Sequence, residues 1–505
     1  MMIFIRRHLQ LKLFLPAVLI SGMLAAGVAV AAEDATTQAM KLYEKHHYEE
    51  AARLLRPELP HMDGGRQAAA SLALGMIYLG NARLYRELYQ TALVIELDYL
   101  TKLSRQKTGA SSRYVDFYLG EALLEAGKPA DAIVYLRRFA AQAGARSAMK
   151  ADVGIELGIA YSRLKQAQKA GRAWSGLNTG QPEIRAALAG AYAVTGAQQH
   201  KPVAMADAAV NDAKTQHYVP GPRMIRNLLR AYSEGGASGK ALDLLNANEC
   251  KDASYVEGLG ASKSISFYDL SVLHDMARVN LDAAILFLEQ ARPDAKAGNT
   301  AAYYLADAYL QAGNAELSQR AAKSFLSQPQ LPPQYRDIAQ AWQAGAQYLA
   351  GKRGEAAATW QALAEKSAND PALLAVVLQA CSQAGADCAK LEKRAVAAVE
   401  NGEGKKFFVL NAALGKYYLL QRDYPKAVLY MEAGRDKAYK NKIEVNDPLL
   451  LTGLAEAYYR NKKFSESLEI YFELGMQYPV VRQIQESMQG IYSMEQQSAG
   501  DVKIF

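Results

Sequence analysis

The sequence predicts an all-α protein, an array of helical hairpins stacked on one another, and three observations carry that prediction. One residue spacing recurs along most of the chain: an apolar residue followed by Gly or Ala, an aromatic residue or Leu four positions after the first, and then, past a short turn, an Ala where a second helix meets the first. Positions i, i+1 and i+4 share one face of a helix, so each copy reads as a packed helix pair. Of the thirty tyrosines, many, including Tyr161, Tyr192, Tyr232, Tyr309, Tyr418 and Tyr458, occupy the same place in that spacing. They are expected in the core between helices, with exposed hydroxyls at their tips.

The clearest copy runs from Leu449 to Pro479. Leu454, Ala455 and Tyr458 set the first helix, Arg460-Asn461-Lys462-Lys463 makes a polar turn, Phe464, Ser467 and Tyr471 set the second helix, and Pro479 closes the unit. Large residues interlock while small ones let two helices approach. In chain order, a short hairpin carries Leu42, Tyr48, Ala51 and Leu55, and Leu74, Gly75 and Tyr78 begin the next unit. Leu119, Gly120, Gly127 and Ala132 follow, then Leu157, Gly158, Tyr161, Ala170 and Trp174, closing at Pro182. Leu188, Ala189, Tyr192 and Gly196 keep the register before Ala197 to Pro220, which reads as an extended or altered hairpin.

Leu228, Tyr232, Gly236, Ala241 and Leu245 restore the rhythm, and Cys250 to Ser266, with Gly258, Gly260 and several serines, reads as a loop or a joint between two sub-arrays. The next stretch is helical by its apolar spacing, and Leu305, Ala306, Tyr309, Gly313 and Phe325 mark another unit. Two degenerate copies use Gly345, Tyr348, Ala357 and Trp360, then Leu378 and Gly385. Leu414, Gly415, Tyr418, Tyr424, Ala427 and Met431 form a clear one. Val481, Ile484, Met488 and Ile491 or Tyr492 form the apolar stripe of a helix that covers the end of the array, as a terminal repeat must. Residues 498–505 read as a frayed tail.

These motifs resemble the tetratricopeptide repeat, a helix-turn-helix unit of about 34 residues. The resemblance implies a right-handed superhelix of about ten or more hairpins that is non-catalytic and holds other proteins. The chain then divides into a signal peptide (1–32), an N-terminal array (33–200), a joint region with one hairpin (201–266), a C-terminal array (267–479), and a capping helix with its tail (480–505).

Arg6, Arg7 and Lys12 precede an uncharged run, Leu13 to Ala32, that ends in small residues. This is the pattern of a secretory signal cleaved after Ala31 or Ala32. The run is also near the length of an uncleaved membrane anchor. Removing the segment lowers the formal net charge from +7 to +4. Such a mild charge does not call for nucleic acid, and no later run is apolar and long enough to span a bilayer. The expected location is the periplasm or another exported compartment of a bacterium.

Three cysteines are too few for a disulfide scaffold and lack metal, redox or haem spacing. In the repeat register Cys381 ends a first helix and Cys388 starts the second across Gly385, within disulfide reach. The alternative is a pair of buried thiols packing as small hydrophobes. Cys250 is left over.

Catalytic and metal motifs are missing from the sequence, and no cofactor is expected. The seven histidines are scattered, and His46-His47 falls in a hairpin turn. Gly235 to Lys240 imitates a phosphate loop, but Glu234 stands where a Gly is required and Ala241 where a Ser or Thr is required. A short enzyme site within Ala197 to Pro220 or Cys250 to Ser266 is the remaining catalytic alternative.

The resemblance also implies where a partner lies. Tetratricopeptide modules that clamp a peptide carboxylate project basic residues and Asn from the second, fifth, sixth and ninth positions of a first helix. Those positions after Pro222 are Arg223, Arg226, Asn227 and Arg230. The neighbouring units offer Asp152, Ile155 and Ile159, or Thr300, Tyr303 and Asp307, and so do not repeat the pattern. A solvated basic face, or pairing with acids, is the plainer reading of the arginines. The expected function is a scaffold for partner proteins during envelope assembly or secretion. The alternative is a component that exports or binds exopolysaccharide.

Overall fold

A computed structural model describes residues 34–106, 112–141, 147–220, 222–249, 268–329, 331–367, 370–401, 408–440, 447–478, 481, 484–485 and 488–493. The proposed signal segment, Cys250 to Ser266 and the tail lie outside the described residues. Among those described there are helices and turns and no strand. Ten hairpins are formed by α1 (Ala35–Glu44) with α2 (Tyr48–Leu55), α4 (Ser112–Glu125) with α5 (Pro129–Ala140), α6 (Ser147–Arg163) with α7 (Ala167–Ser175), α8 (Pro182–Val194) with α9 (Pro202–Thr215), α10 (Pro222–Glu234) with α11 (Ser238–Glu249), α13 (Ala297–Gln311) with α14 (Ala315–Leu326), α15 (Pro333–Leu349) with α16 (Arg353–Lys366), α17 (Pro371–Gln383) with α18 (Ala389–Glu400), α19 (Phe408–Leu420) with α20 (Tyr424–Lys440), and α21 (Pro448–Arg460) with α22 (Phe464–Gln477). Two long helices stand outside this pattern, α3 (Gly64–Gln106) and α12 (Tyr268–Ala291). The described residues thus form an all-α array of helical hairpins.

The hairpins share one turn. Four positions after the repeat tyrosine, or after Cys381 in the copy that lacks one, the backbone enters the left-handed region, at Lys165, Gly196, Gly236, Gly313, Gly385, Arg422 and Lys462. The next amide then donates back to the carbonyl five positions before it, as Gln166 does to Tyr161 at 2.8 Å, Asn314 to Tyr309 at 2.8 Å and Lys463 to Tyr458 at 2.9 Å. This ends the first helix by satisfying a terminal carbonyl and aims the chain backwards. The two helices are then tied by a side chain of the second. Ser318 donates to the Ala306 carbonyl at 2.6 Å, Ser467 to Ala455 at 2.7 Å, and Trp360 Nε1 to Ala341 at 2.9 Å.

The repeat tyrosines are packed as expected, but their hydroxyls do not simply face water. Tyr232 donates to Asp207 at 3.1 Å, Tyr309 to Glu289 at 2.8 Å, Tyr458 to Glu432 at 2.6 Å, and Tyr418 to Glu392. In each case the carboxylate belongs to the preceding helix in the stack, so the phenol links consecutive units.

Two sequence expectations are corrected. Leu74, Gly75 and Tyr78 do not open a hairpin; they lie inside α3. The position four after Tyr78 is Ala82, which has no means of favouring a left-handed turn, and the helix continues. The stretch after Ala197 is a regular second helix, α9, entered through a short 3₁₀ turn at Gln198–His200 and started by Pro202 at its first position.

The chain forms two compact units that interleave in sequence. The first comprises residues 1–84 and 283–467, and the second comprises 85–282 and 468–505. In the first, Gly75 of α3 meets Leu288 of α12 and Tyr78 stacks on Phe287 with centroids 5.6 Å apart. In the second, Val481, Ile484, Met488 and Ile491 are buried as the predicted stripe. Gln485 donates there to the Tyr471 carbonyl.

Candidate partner-binding face

α10 carries the positions singled out by the resemblance, and the structure turns two of them inward. Arg226 and Arg230 are 3% and 5% exposed. Arg226 lies 3.8 Å from Glu121 of α4 and 4.0 Å from Glu156 of α6, and Arg230 donates to Glu125 of α4 at 3.0 Å. Glu125 also accepts from Tyr89 of α3 at 3.1 Å. The expectation of an arginine comb offered to a partner is therefore corrected at Arg226 and Arg230, since both guanidiniums are bound to glutamates of the same unit. The side chain of Arg223 lies outside the described residues.

The physical cause is charge compensation in a buried place. A buried guanidinium needs a carboxylate partner, and α4 and α6 supply three of them. Burial is the main force on Glu156; together with the like charge of Glu121 it pushes this carboxyl up to about 7, against the arginines. Burial also pushes Glu125 upward, but Arg230, His274 and Arg163 outweigh it and hold the group below the ordinary carboxylate range.

A similar arrangement occurs in the first unit. The positions Thr300, Tyr303 and Asp307 of α13 are buried, and Asp307 is ion-paired with Arg83 of α3. Each unit thus covers with its own chain a helix face that an open groove would present. From Ala70 to Leu100, α3 has almost no exposed residue. A helix apolar or buried on all sides is a core element and not a surface one.

One part of the inner face of the second unit stays open. A cleft of about 600 Å³ lies between α6, the α7–α8 turn, α8 and α10, with Lys150, Asp152 and Ile155 on one side, Gly176, Leu177, Asn178 and Gln181 on the turn, Glu183, Ile184 and Ala187 on α8, and Asn227 at the α10 side. Asn227 is the predicted site residue that reaches this cleft. It is 4% exposed. Glu183 accepts from Tyr218 at 2.9 Å, and Asn178 Oδ1 accepts from the Gly180 amide at 3.1 Å. Sequence reasoning missed the α6 and α8 walls because their spacing looks like ordinary packing.

The other singled-out residues are placed plainly. Cys381 and Cys388 are joined by a disulfide, with Cα atoms 6.1 Å apart. His46 shares a 2.8 Å hydrogen bond with the Tyr48 hydroxyl, and His47 pairs with Glu50. Lys240, the last residue of the imitation phosphate loop, is bound to Asp207 at 2.7 Å. Among the described residues no cluster of His, Cys, Asp and Glu has the arrangement of a metal site, and no helix is long and apolar enough to cross a membrane.

No protein-family model matches the chain, and no curated protein matches it. Among solved structures it is similar to yeast Tom70, at 12% identity and a TM-score of 0.32, covering 92% of this chain and 95% of that one. It is also similar to the APC/C hetero-tetramer Cut9-Hcn1, at 13% identity and a TM-score of 0.27, covering 94% and 100%. The P58(IPK) TPR domain matches at 14% identity and a TM-score of 0.19, covering 70% and 98%. Scores this low decide neither the path of the array nor what it binds.

Proposed function

We propose that this tetratricopeptide-type array is a non-catalytic scaffold that binds partner proteins in the bacterial cell envelope, during assembly or secretion. The observation that carries the reading is the array of stacked hairpins itself, with a cleft of about 600 Å³ left between α6, the α7–α8 turn, α8 and α10 of the second unit. Stacked hairpins offer an extended surface along which another chain can lie. Export rests on the run from Leu13 to Ala32, and a disulfide between Cys381 and Cys388 is at home in an oxidising compartment.

Crosslinking in intact cells, with identification of the captured chains and the mass of the mature product, tests the reading. Discrete protein partners and a product starting at Ala32 or Glu33 are expected. Carbohydrate that copurifies through high salt, without protein partners, would replace the reading with the exopolysaccharide one. A product retaining residues 1–32 would remove the export step.

A further inference from the structure

Among the described residues, all six non-glycine positions with a left-handed backbone are basic: His46, Lys165, Lys201, His217, Arg422 and Lys462. A side chain at such a position is strained, and other hairpins place glycine there, as at Gly127, Gly236, Gly313 and Gly385. In the second unit the cations gather in three consecutive turns. Residues 126–131, 163–169 and 195–202 span the turns that join α4 to α5, α6 to α7 and α8 to α9, and they hold Lys128, Arg163, Lys165, Lys169 and Lys201 against one acid, Asp131. The first helices α4, α6 and α8 pack in order, and Arg163 at the end of α6 donates to the Leu124 carbonyl near the end of α4, so these turns share one edge of the unit. The connections at the opposite edge, residues 175–181 and 216–220, contain no Lys, Arg, Asp or Glu.

Local structure does not account for these lysines. Lys128 and Lys201 are the N-caps of α5 and α9 and make no side-chain capping bond, and Lys169 lies in the first turn of α7. A helix N-terminus favours Ser, Thr, Asp or Asn as its cap and disfavours a cation, because the positive end of the helix dipole lies there. The caps Asp34, Asn314, Asp370 and Asp447 follow that rule. Lys201 is unfavourable twice over, a cation at an N-terminus with φ 49°. Lys165 follows the end of α6, where a cation is welcome, but at φ 58° it still strains a backbone that glycine would adopt freely. All four lysines are exposed, and among the described residues none of them pairs with a carboxylate; Lys169 lies over the Tyr161 ring at 5.6 Å.

We propose that this edge docks the second unit on an anionic phospholipid bilayer. An ammonium is a compact point charge that requires no shaped partner, and several lysines side by side suit a surface of phosphate headgroups. The three turns contain no Phe, Tyr or Trp, so the edge offers charge without the aromatic faces on which bases stack. The run from Leu13 to Ala32, as a signal or as an anchor, would bring the chain to a membrane in either case. Docking of this kind goes beyond the partner-protein reading and requires no partner.

The test is flotation of the chain, as isolated from cells that produce it, with vesicles of phosphatidylcholine alone or of phosphatidylcholine and phosphatidylglycerol in equal parts. An excess of binding on the anionic vesicles is expected, and added salt should remove that excess, since exposed charges are screened. A retained apolar N-terminal segment would raise both compositions alike and leave the difference readable. Each of Lys128→Gln, Lys165→Gln, Lys169→Gln and Lys201→Gln should lower the anionic excess about fivefold, and the four together should abolish it. Lys214→Gln, exposed at the far end of α9, should leave it unchanged. Lys165→Gly and Lys201→Gly should lose as much binding as the Gln changes while the thermal transition holds or rises, because glycine accepts the backbone that lysine strains. The proposal is overturned if the two compositions bind equally, if the fourfold variant keeps the excess with its helical circular dichroism intact, or if Lys214→Gln weakens binding as much as the others. Binding to alginate or duplex DNA in place of vesicles would also overturn it and assign the lysines to a soluble polyanion. None of these results bears on crosslinked protein partners, so the scaffold reading holds or fails separately.

Discussion

Replacing Arg230 with Ala removes one side of a buried ion pair whose other side cannot leave. The guanidinium lies 3.0 Å from Glu125, and Glu125 is kept ionised in a buried place mainly by Arg230, aided by His274 and Arg163. Breaking such a pair from one side costs about 3–5 kcal/mol, because the remaining charge stays buried. The Tyr89 hydroxyl remains to donate to Glu125, which favours the lower end, about 3 kcal/mol. An exposed pair such as Arg320 with Glu316, at 2.6 Å, is worth under about 1 kcal/mol and serves as the control.

The assay is urea unfolding followed by circular dichroism, with hydrogen exchange read on α4 and α10. Arg230→Ala should shift the transition and open those helices, and Arg320→Ala should do neither. The shift should shrink as pH falls, since without Arg230 the Glu125 carboxyl rises and takes up a proton, and the pair Arg230→Met with Glu125→Leu should recover most of the loss. A loss below about 1 kcal/mol for Arg230→Ala would refute the reasoning and return the arginine to a solvated face.

Four further outcomes concern other positions of the chain. Glu156 has its proton held more tightly in the fold than in the unfolded chain, so its contribution is fully present below the ordinary value of 4.5 and is lost as pH rises through about 7; Glu156→Gln should flatten that decline in melts taken across this window. Glu125 works in the opposite direction: its contribution is present above the ordinary carboxylate range and lost on acidification. In the α6/α7 hairpin a Cβ on Gly158 would collide with the indole of Trp174, whereas one on Gly171 would meet nothing within 4 Å. Gly158→Ala should thus lower stability by about 1–3 kcal/mol, while Gly171→Ala should raise it by about 0.5–1 kcal/mol. Thiol titration of the denatured, unreduced chain should find Cys250 alone, and three reactive thiols would remove the Cys381–Cys388 bond.

The repeat was legible because it is local. Leu454, Ala455 and Tyr458 announce a helix face, and Gly385 announces a turn. Lys165, Arg422 and Lys462 adopt the same left-handed turn without the glycine that would advertise it, and they are recovered by register alone. The long helix α3 was misread as a hairpin because Leu74, Gly75 and Tyr78 match the first-helix spacing; the missing signal was a turn residue four positions after Tyr78. The arginines of α10 were found, but their surroundings were not. Arg230 and Glu125 are separated by 105 positions, and no periodicity in either helix records that their faces meet. Asn227 was named for a carboxylate clamp and emerges in a cleft of different chemistry, with walls from α6 and α8. Pairings between distant helices are set by how hairpins stack, and one sequence alone does not encode that stacking in any short window.

The most direct test of the account places a photo-crosslinking residue at Asn178, on the rim of the cleft, and at Leu429, which is exposed on the first unit, in cells that produce the protein. The account predicts discrete protein adducts from position 178, and a different pattern or none from position 429. Partners captured from 429 and none from 178 would contradict it.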